Sequence, residues 1–325
     1  MRCRIKDYKQ FQVLSAIASC RTQHKGYIAP MFSYRHAFHA GNHADVLKHT
    51  ILIAVLRHLM QKEASIQYVD THAGAGLYRL DGDYAEKSGE AAEGVLKLIQ
   101  AKQALTSPIV LDYLEMVQSF NSTGKTRVYP GSPFIIHQLL RHDSRDRLKL
   151  YELHPTDHKA LVGNVAQLNA GRAIQIKSED GFEALKALLP PPLSSSGSRR
   201  ACVLMDPSYE LKSDYARVLD SMQDCLKRFA TGTYLIWYPV IARMEAHDLP
   251  RKLKLLCQPV KKPWLHATLA IGRASGCDDK GLSASGMFVV NPPHTLKGQL
   301  QTALAELEQI LGRGLGRGFS VESGG

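Results

Sequence analysis

Val203-Leu204-Met205-Asp206-Pro207-Ser208-Tyr209 sets an acid, a proline and an aromatic residue directly behind an apolar run. That order suits methyl transfer to the exocyclic amine of a flat base. The N6 lone pair of adenine is delocalised into the ring and is a poor nucleophile. Two acceptors, the Asp206 carboxylate and the Pro207 carbonyl, would draw on its two hydrogens and localise the pair for in-line attack on a sulfonium methyl. Positioning and preorganised dipoles supply most of such an effect. The base must be unpaired or extruded to reach them. Tyr209 would stack on it, a contact of about 1–3 kcal/mol. Asp206, Pro207 and Tyr209 are therefore the candidate catalytic residues. A plain strand-turn-helix with a capping Asp would carry the same letters, and Ser208 stands where a second proline would stiffen the turn.

Other polar groups end apolar runs in the same way. Asp70-Thr71-His72-Ala73-Gly74-Ala75-Gly76 follows Ile66–Val69, Glu152 follows Leu148–Tyr151, and Glu179-Asp180-Gly181 follows Ala173–Lys177. In open α/β sheets, ligands sit beyond the carboxyl ends of the strands. The first loop lacks the GxGxxG dinucleotide pattern, and no GxxxxGK[ST] is present. It suits a ligand without phosphates, of which S-adenosylmethionine is one. Glu152 could accept from both ribose hydroxyls, and Asp180-Gly181 from an adenine amine; a solvated carboxylate and a helix-capping Asp are the plainer alternatives. Met287–Val290 followed by Asn291-Pro292-Pro293-His294 repeats the layout of the catalytic candidate, but at the seventh strand and with no aromatic ring.

These loops need a scaffold. Strand patterns at 66–69, 148–151, 173–177, 202–205, 233–238, 266–271 and 287–290 predict seven strands. Helices separate the early ones, so a mainly parallel sheet covered on both faces is expected. The last two read as an antiparallel hairpin at one edge. A helix is expected over 42–61, capped by Asn42 or Asp45. Between the first two strands, 90–103 and 109–120 read as a helical insertion. Ser132-Pro133 reads as an N-cap followed by a first-turn proline. A linker is expected at 190–200.

The chain has 325 residues and a net charge of +11, five units of which come from the first thirty residues. The body is basic all the same, which favours polyanionic partners. Six scattered cysteines with no CxxC spacing point away from a zinc site and towards a reducing cytoplasm. No run is long enough for a membrane span. His36, His39, His43 and His49 cluster near the start. His39 and His43 could share a metal, but contact with RNA or cofactor is the better reading, and no metal is expected.

The block Tyr34-Arg35-His36-Ala37-Phe38-His39-Ala40-Gly41-Asn42-His43-Ala44-Asp45-Val46-Leu47-Lys48-His49 closely resembles the start of the RlmJ family of bacterial 23S rRNA adenine-N6 methyltransferases. Residues 70–76, 129–133, 152–155 and 232–239 resemble its other signatures, so the likeness runs from Met31 to about Pro293. It implies a class I S-adenosylmethionine-dependent methyltransferase fold, α/β and Rossmann-like, with an inserted helical subdomain. It implies cofactor binding by His49, His72, Ser132, Glu152, Asp180, Gly181 and Asp206, with Tyr34 at the substrate adenine. The implied substrate is protein-free 23S rRNA. The expected layout is a basic extension over 1–30 with Met31 as the natural start, a methyltransferase domain over 31–310 with the insertion at about 78–128, and a flexible Gly/Arg tail over 311–325. A cytoplasmic monomer is expected. DNA adenine methylation, or RNA binding with weakened catalysis, are the rival readings.

Overall fold

Helix α1 (His43–Leu59) is buried on nearly every side from His43 to Leu56. Its run of Val46, Leu47, Ile51, Leu52 and Val55 would bury one face against a sheet in the ordinary way. Here the opposite face is covered too, by the helices of the insertion. Asp45, Lys48 and His49 are thereby carried into the interior, at 1%, 4% and 1% exposure. The computed structural model describes residues 39–81, 89–122, 124–141, 143–273 and 281–325. The expected 1–30 extension, the Met31 start and Tyr34 lie outside the described residues.

After α1 come β1 (Gln67–Asp70) and β2 (Leu77–Arg79), then α2 (Pro108–Ser119) and β3 (Val128–Pro130). The stretch 90–103, read as one helix, is a π-helical turn over Ala92–Leu96 and a short helix over Lys97–Gln100. Gly94 explains the irregularity: a Cβ there would lie 2.1 Å from the Gly41 carbonyl oxygen, which accepts from Val95 N at 2.8 Å. The insertion is docked backbone to backbone on the loop that enters α1. No strand was expected within it, yet β2 and β3 pair antiparallel at its base, Leu77 opposite Pro130 and Arg79 opposite Val128.

The chain continues through α3 (Ser132–Leu139), β4 (Arg147–Tyr151), α4 (Pro155–Ala166), β5 (Ile174–Lys177), α5 (Gly181–Leu188), β6 (Ala201–Met205), α6 (Ser213–Phe229), β7 (Thr233–Pro239), α7 (Met244–Cys257), β8 (Trp264–Arg273), β9 (Ala284–Val290), α8 (Leu296–Leu311) and β10 (Leu315–Gly324). The main sheet has the order β10-β8-β9-β7-β6-β1-β4-β5. Strands β7, β6, β1, β4 and β5 are parallel neighbours, while β9, β8 and β10 run antiparallel. Successive strands proceed from β1 to β4 and β5 on one side, then return to β6 and β7 on the other. The β1/β6 boundary is therefore a topological switch point, where open sheets hold ligands.

Two expectations about the sheet are corrected. It has eight strands and not seven, and the β8–β9 hairpin is not its edge. The added strand, Leu315–Gly324, lies in the 311–325 segment, read as a flexible tail from its glycines and arginines. It pairs with β8 from Leu315 opposite Arg273 to Gly324 opposite Trp264. Composition misleads here because the strand draws its stability from a partner edge, and β propensity is largely a statement about such surroundings. Arg317 Nε also pairs with Glu308 of α8 at 2.9 Å. Among the described residues, no helix is long and apolar enough to cross a membrane.

Candidate active site

The loop after β1 is clamped between the ends of β4 and β6. Ala73 N donates to the Tyr151 carbonyl at 2.8 Å, and Thr71 N to the Leu204 carbonyl at 3.1 Å. Gly74 N donates to Glu152 Oε2 at 2.8 Å, and His154 N to Oε1 at 2.7 Å. Burial raises the Glu152 pKa, and those two N–H groups oppose the rise. Gly74 has φ +58 and Gly76 φ +79, left-handed values that glycine adopts without strain.

Beneath this loop Asp70 is wholly buried. Ser132 Oγ donates to its Oδ2 at 2.6 Å and His72 N to its Oδ1 at 3.2 Å. Burial pushes its pKa up to about 7; the Ser132 hydrogen bond works against that, and the charge of Asp206 adds to it. Ser132 was expected as the cap of α3. Gly131 occupies that position instead, and the serine hydroxyl turns to the buried acid. Burial also lowers His72 to about 4, so the imidazole is neutral at pH 7. His49 Nδ1 meets the Tyr129 hydroxyl at 2.7 Å, with the rings stacked.

Asp180 caps α5 by accepting from Phe182 N at 3.0 Å and Glu183 N at 3.3 Å, and it pairs with Arg217. A Cβ on Gly181 would come within 2.2 Å of the Thr71 carbonyl oxygen. The turn after β5 can therefore rest on the loop after β1 only because residue 181 lacks a side chain.

The turn after β6 carries Asp206. Lys48 Nζ lies 2.6 Å from Asp206 Oδ2 and 2.8 Å from Asp45 Oδ1, and Gly41 N donates to Asp45 Oδ2 at 2.9 Å. Burial opposes the charge on Lys48, but the two carboxylates outweigh it and raise its pKa above the usual lysine value. Asp206 thus faces a permanent cation supplied by α1.

Tyr209 is held on several sides. Its ring is 2% exposed, with φ +55, and packs against Tyr215 and Trp237 with centroids at 4.6 and 6.0 Å. Its hydroxyl donates to the Trp237 carbonyl at 2.7 Å. A ring tethered in this way braces the turn, and Tyr209 also lines the second cavity beside Asp206. Arg243 Nη1 donates to the Tyr209 carbonyl at 2.9 Å and clasps the same turn from outside. These two restraints stiffen the segment that holds the exposed Ser208.

His49, His72, Ser132, Glu152, Asp180, Gly181 and Asp206 all line one cavity of about 390 Å³. A second cavity of about 240 Å³ adjoins it, and the two share Lys48, Asp206, Ser208 and Glu210 as walls. Among the described residues, six carboxylates, Glu152, Asp157, Asp180, Asp206, Glu210 and Asp214, face the first cavity against Lys48 and Arg217 as formal cations. That donor set repels a polyphosphate and accommodates a sulfonium with an amino-acid ammonium.

The Asn291-Pro292-Pro293 turn lies elsewhere. Because β9 runs antiparallel to β7, its end falls beside Tyr234 at the start of β7, on the sheet edge opposite Asp206. Asn291 Nδ2 is spent on the Ala230 and Gly232 carbonyls at 2.9 and 2.6 Å. His39 precedes α1 and meets Glu90 at 3.0 Å, while His43 Nε2 meets the Leu282 carbonyl at 2.8 Å. Among the described residues no group of three or more His, Cys, Asp or Glu could hold a metal ion. Sequence reasoning gave no role to Arg217, Trp237 or Arg243, offered Asp45 only as an alternative to Asn42, which is the cap of α1, and noted Lys48 without connecting it to Asp206. For Lys48 a signal existed: an Asp45/Lys48 pair at i,i+3 amid an apolar run.

Residues 63–322 match the model of the family described as RsmJ: Ribosomal RNA large subunit methyltransferase D, RlmJ. The chain is 41% identical over 284 residues to Ribosomal RNA large subunit methyltransferase J of Escherichia coli (strain K12), covering 86% of this chain and 94% of that protein. It is 43% identical over 282 residues to the Haemophilus influenzae protein of the same name, with the same coverage. Among solved structures, protein LPL1258 from Legionella pneumophila superposes with a TM-score of 0.75 at 30% identity, covering 88% of this chain and 98% of that one.

Proposed function

This chain belongs to the RlmJ family of ribosomal RNA large subunit methyltransferases, and on that premise we propose that its two adjoining cavities take S-adenosylmethionine and an unpaired adenine of 23S rRNA. It is an rRNA methyltransferase, and on this reading N6 of the adenine is the acceptor. The observation that carries this reading is the position of Asp206, in the wall common to both cavities.

Glu152, Asp180 and Gly181 would hold the nucleoside of the cofactor, and His49, His72, Ser132 and Asp206 its amino-acid end. The bound cofactor supplies an electrophilic methyl on a sulfonium. The protein's own part is preorganisation. Lys48 and Asp45 hold Asp206 in one orientation before substrate arrives. Asp206 Oδ and the Pro207 carbonyl accept from the two N6 hydrogens, and the lone pair is directed at the methyl. Neutral His72 contributes no positive charge beside a sulfonium. Tyr209 and Arg243 keep the Pro207 carbonyl in register. The acceptor base must leave its stack to reach the second cavity, and Tyr34 belongs at that base. The enzyme acts as a cytoplasmic monomer on rRNA not yet covered by ribosomal proteins.

The test is transfer of a tritiated methyl group to transcribed 23S rRNA, with duplex DNA in parallel. Label recovered as N6-methyladenosine from the RNA alone is expected. Label in the DNA alone, or RNA binding with no uptake of cofactor, would replace this reading.

A further inference from the structure

The glycine-rich end of the chain brings positive charge to the sheet edge where Asp206 stands. Strand β8 runs parallel to β7, because each is antiparallel to β9, so Arg273 closes β8 on that edge. Strand β10 begins there, with Leu315 opposite Arg273. The two meet at Gly272, which has φ +74. A Cβ on it would lie 2.7 Å from the Arg313 carbonyl oxygen and 3.0 Å from Arg317 N. Arg273, Arg313 and Arg317 are thus gathered around one bare glycine. Arg273 is exposed, and Glu308 takes Arg317 Nε at 2.9 Å yet leaves that side chain 52% exposed. Among the described residues, nothing stands within 4 Å of a Cβ built on Gly316 or Gly318, so the backbone on either side of Arg317 is open. This cluster borders the second cavity. His43 Nε2 meets the carbonyl of Leu282, a wall residue of that cavity. Burial lowers the His43 pKa to about 4, and the charge of Arg313 nearby lowers it as well. Helix α8, which carries Glu308, touches α1, and both lie against β8.

We propose that the Arg273, Arg313 and Arg317 cluster is a docking surface for the RNA strand that flanks the acceptor base, with Arg273 and Arg317 on its phosphates. This deepens the reading of the second cavity as the acceptor-base pocket and rests on it. The charge on the two sides of Asp206 has opposite sign. The first cavity is faced by six carboxylates, whereas arginines stand beyond the second. A phosphate backbone is repelled on one side and attracted on the other. The strand therefore leaves the pocket over β8 and β10, away from the cofactor. Guanidinium forks match phosphate oxygens. Such contacts position the strand and carry no sequence information of their own.

The experiment measures binding of transcribed 23S rRNA to the full chain by filter retention, between about 50 and 200 mM salt. Methyl transfer and calorimetry with S-adenosylmethionine are run on the same preparations. Arg273→Glu combined with Arg317→Glu should weaken RNA binding about tenfold or more, while turnover at saturating RNA and cofactor affinity stay within about twofold. Arg273→Gln combined with Arg317→Gln introduces no reversed charge. It should make the dependence of log affinity on log salt shallower by about 0.7 for each lost phosphate contact. Lys227→Glu combined with Arg228→Glu is the matched control. Those exposed residues end α6 just before β7 begins, on the opposite edge of the sheet, and the same change of charge there should cost less than about threefold. Equal losses from the two Glu pairs would reduce the effect to overall charge and overturn the proposal. So would a Gln pair with the affinity and salt dependence of the wild type. Wild-type protein that binds cofactor but does not methylate the RNA would bring down the base-pocket reading first, and this inference with it.

Discussion

Lys48 Nζ on α1 and Asp206 Oδ2 on the turn after β6 are 2.6 Å apart, although 158 residues separate them in the chain. The contact ties the helix covered by the insertion to the turn that carries the candidate chemistry. With Asp45 on its other side, the lysine side chain is 5% exposed. A cation enclosed in this way has no freedom to leave, and Asp206 inherits that rigidity.

Lys48→Met should therefore damage both folding and turnover. The substitution keeps the volume but leaves Asp45 and Asp206 as neighbouring acids without their cation. Breaking a buried ion pair typically costs about 3–5 kcal/mol. Urea denaturation should show a loss of that order, and methyl transfer should fall at least about 100-fold. Adding Asp206→Asn to Lys48→Met should recover part of the stability and none of the activity. A double variant no more stable than the single one would refute the role of the unpaired charge.

Asp70 predicts a pH dependence of stability. Its pKa in the folded chain, about 7, lies above the ordinary carboxylate value. The folded state then holds a proton that the unfolded state has released between about pH 4 and pH 7. This group's contribution to stability falls as pH rises through that window, by at most about 1.4 kcal/mol per pH unit. Asp70→Asn should flatten that part of the curve. Denaturation midpoints of both proteins at pH 5, 6, 7 and 8 would show it; parallel curves would argue against a protonated Asp70.

Gly181→Ala should weaken cofactor binding. The new methyl would sit 2.2 Å from the Thr71 carbonyl oxygen, and backbone cannot yield as a flexible side chain can. The turn after β5 must move away from the first cavity, and affinity for S-adenosylmethionine by calorimetry should drop about tenfold or more. Gly298→Ala is the contrast. It lies inside α8 with nothing within 4 Å of the added carbon, so it should raise stability by up to about 1 kcal/mol.

Arg243→Ala should loosen the catalytic turn without touching the cofactor. Its guanidinium meets the carbonyls of Tyr209 and Glu210 at 2.9 and 3.4 Å and does not line either cavity. A kcat reduced about tenfold with unchanged cofactor affinity is expected. Asp206→Ala should be far more severe, about 100- to 1,000-fold in kcat. If Arg243→Ala weakened the cofactor and left kcat alone, the bracing role would be wrong.

Much of this protein could be read from one dimension. Apolar runs each ended by an acid or a glycine loop announced the parallel strands, because buried strands need continuous hydrophobic residues and ligand loops need polar ones. The seven residues expected at the cofactor are scattered from His49 to Asp206, yet they line one cavity: the parallel strands, ending on one edge, bring His72, Glu152, Asp180, Gly181 and Asp206, while two helices bring His49 and Ser132. What the chain could not disclose was pairing at a distance. The glycine-rich end became a strand because β8 offered an open edge. The tether of the Tyr209 hydroxyl to the Trp237 carbonyl, on another strand, left no mark in the order of residues. Lys48 looked like one more basic residue until folding set Asp206 beside it. Periodicity and turn chemistry are local and leave their mark in order and spacing, whereas the partner of a buried charge or an exposed edge exists only once the layers have closed.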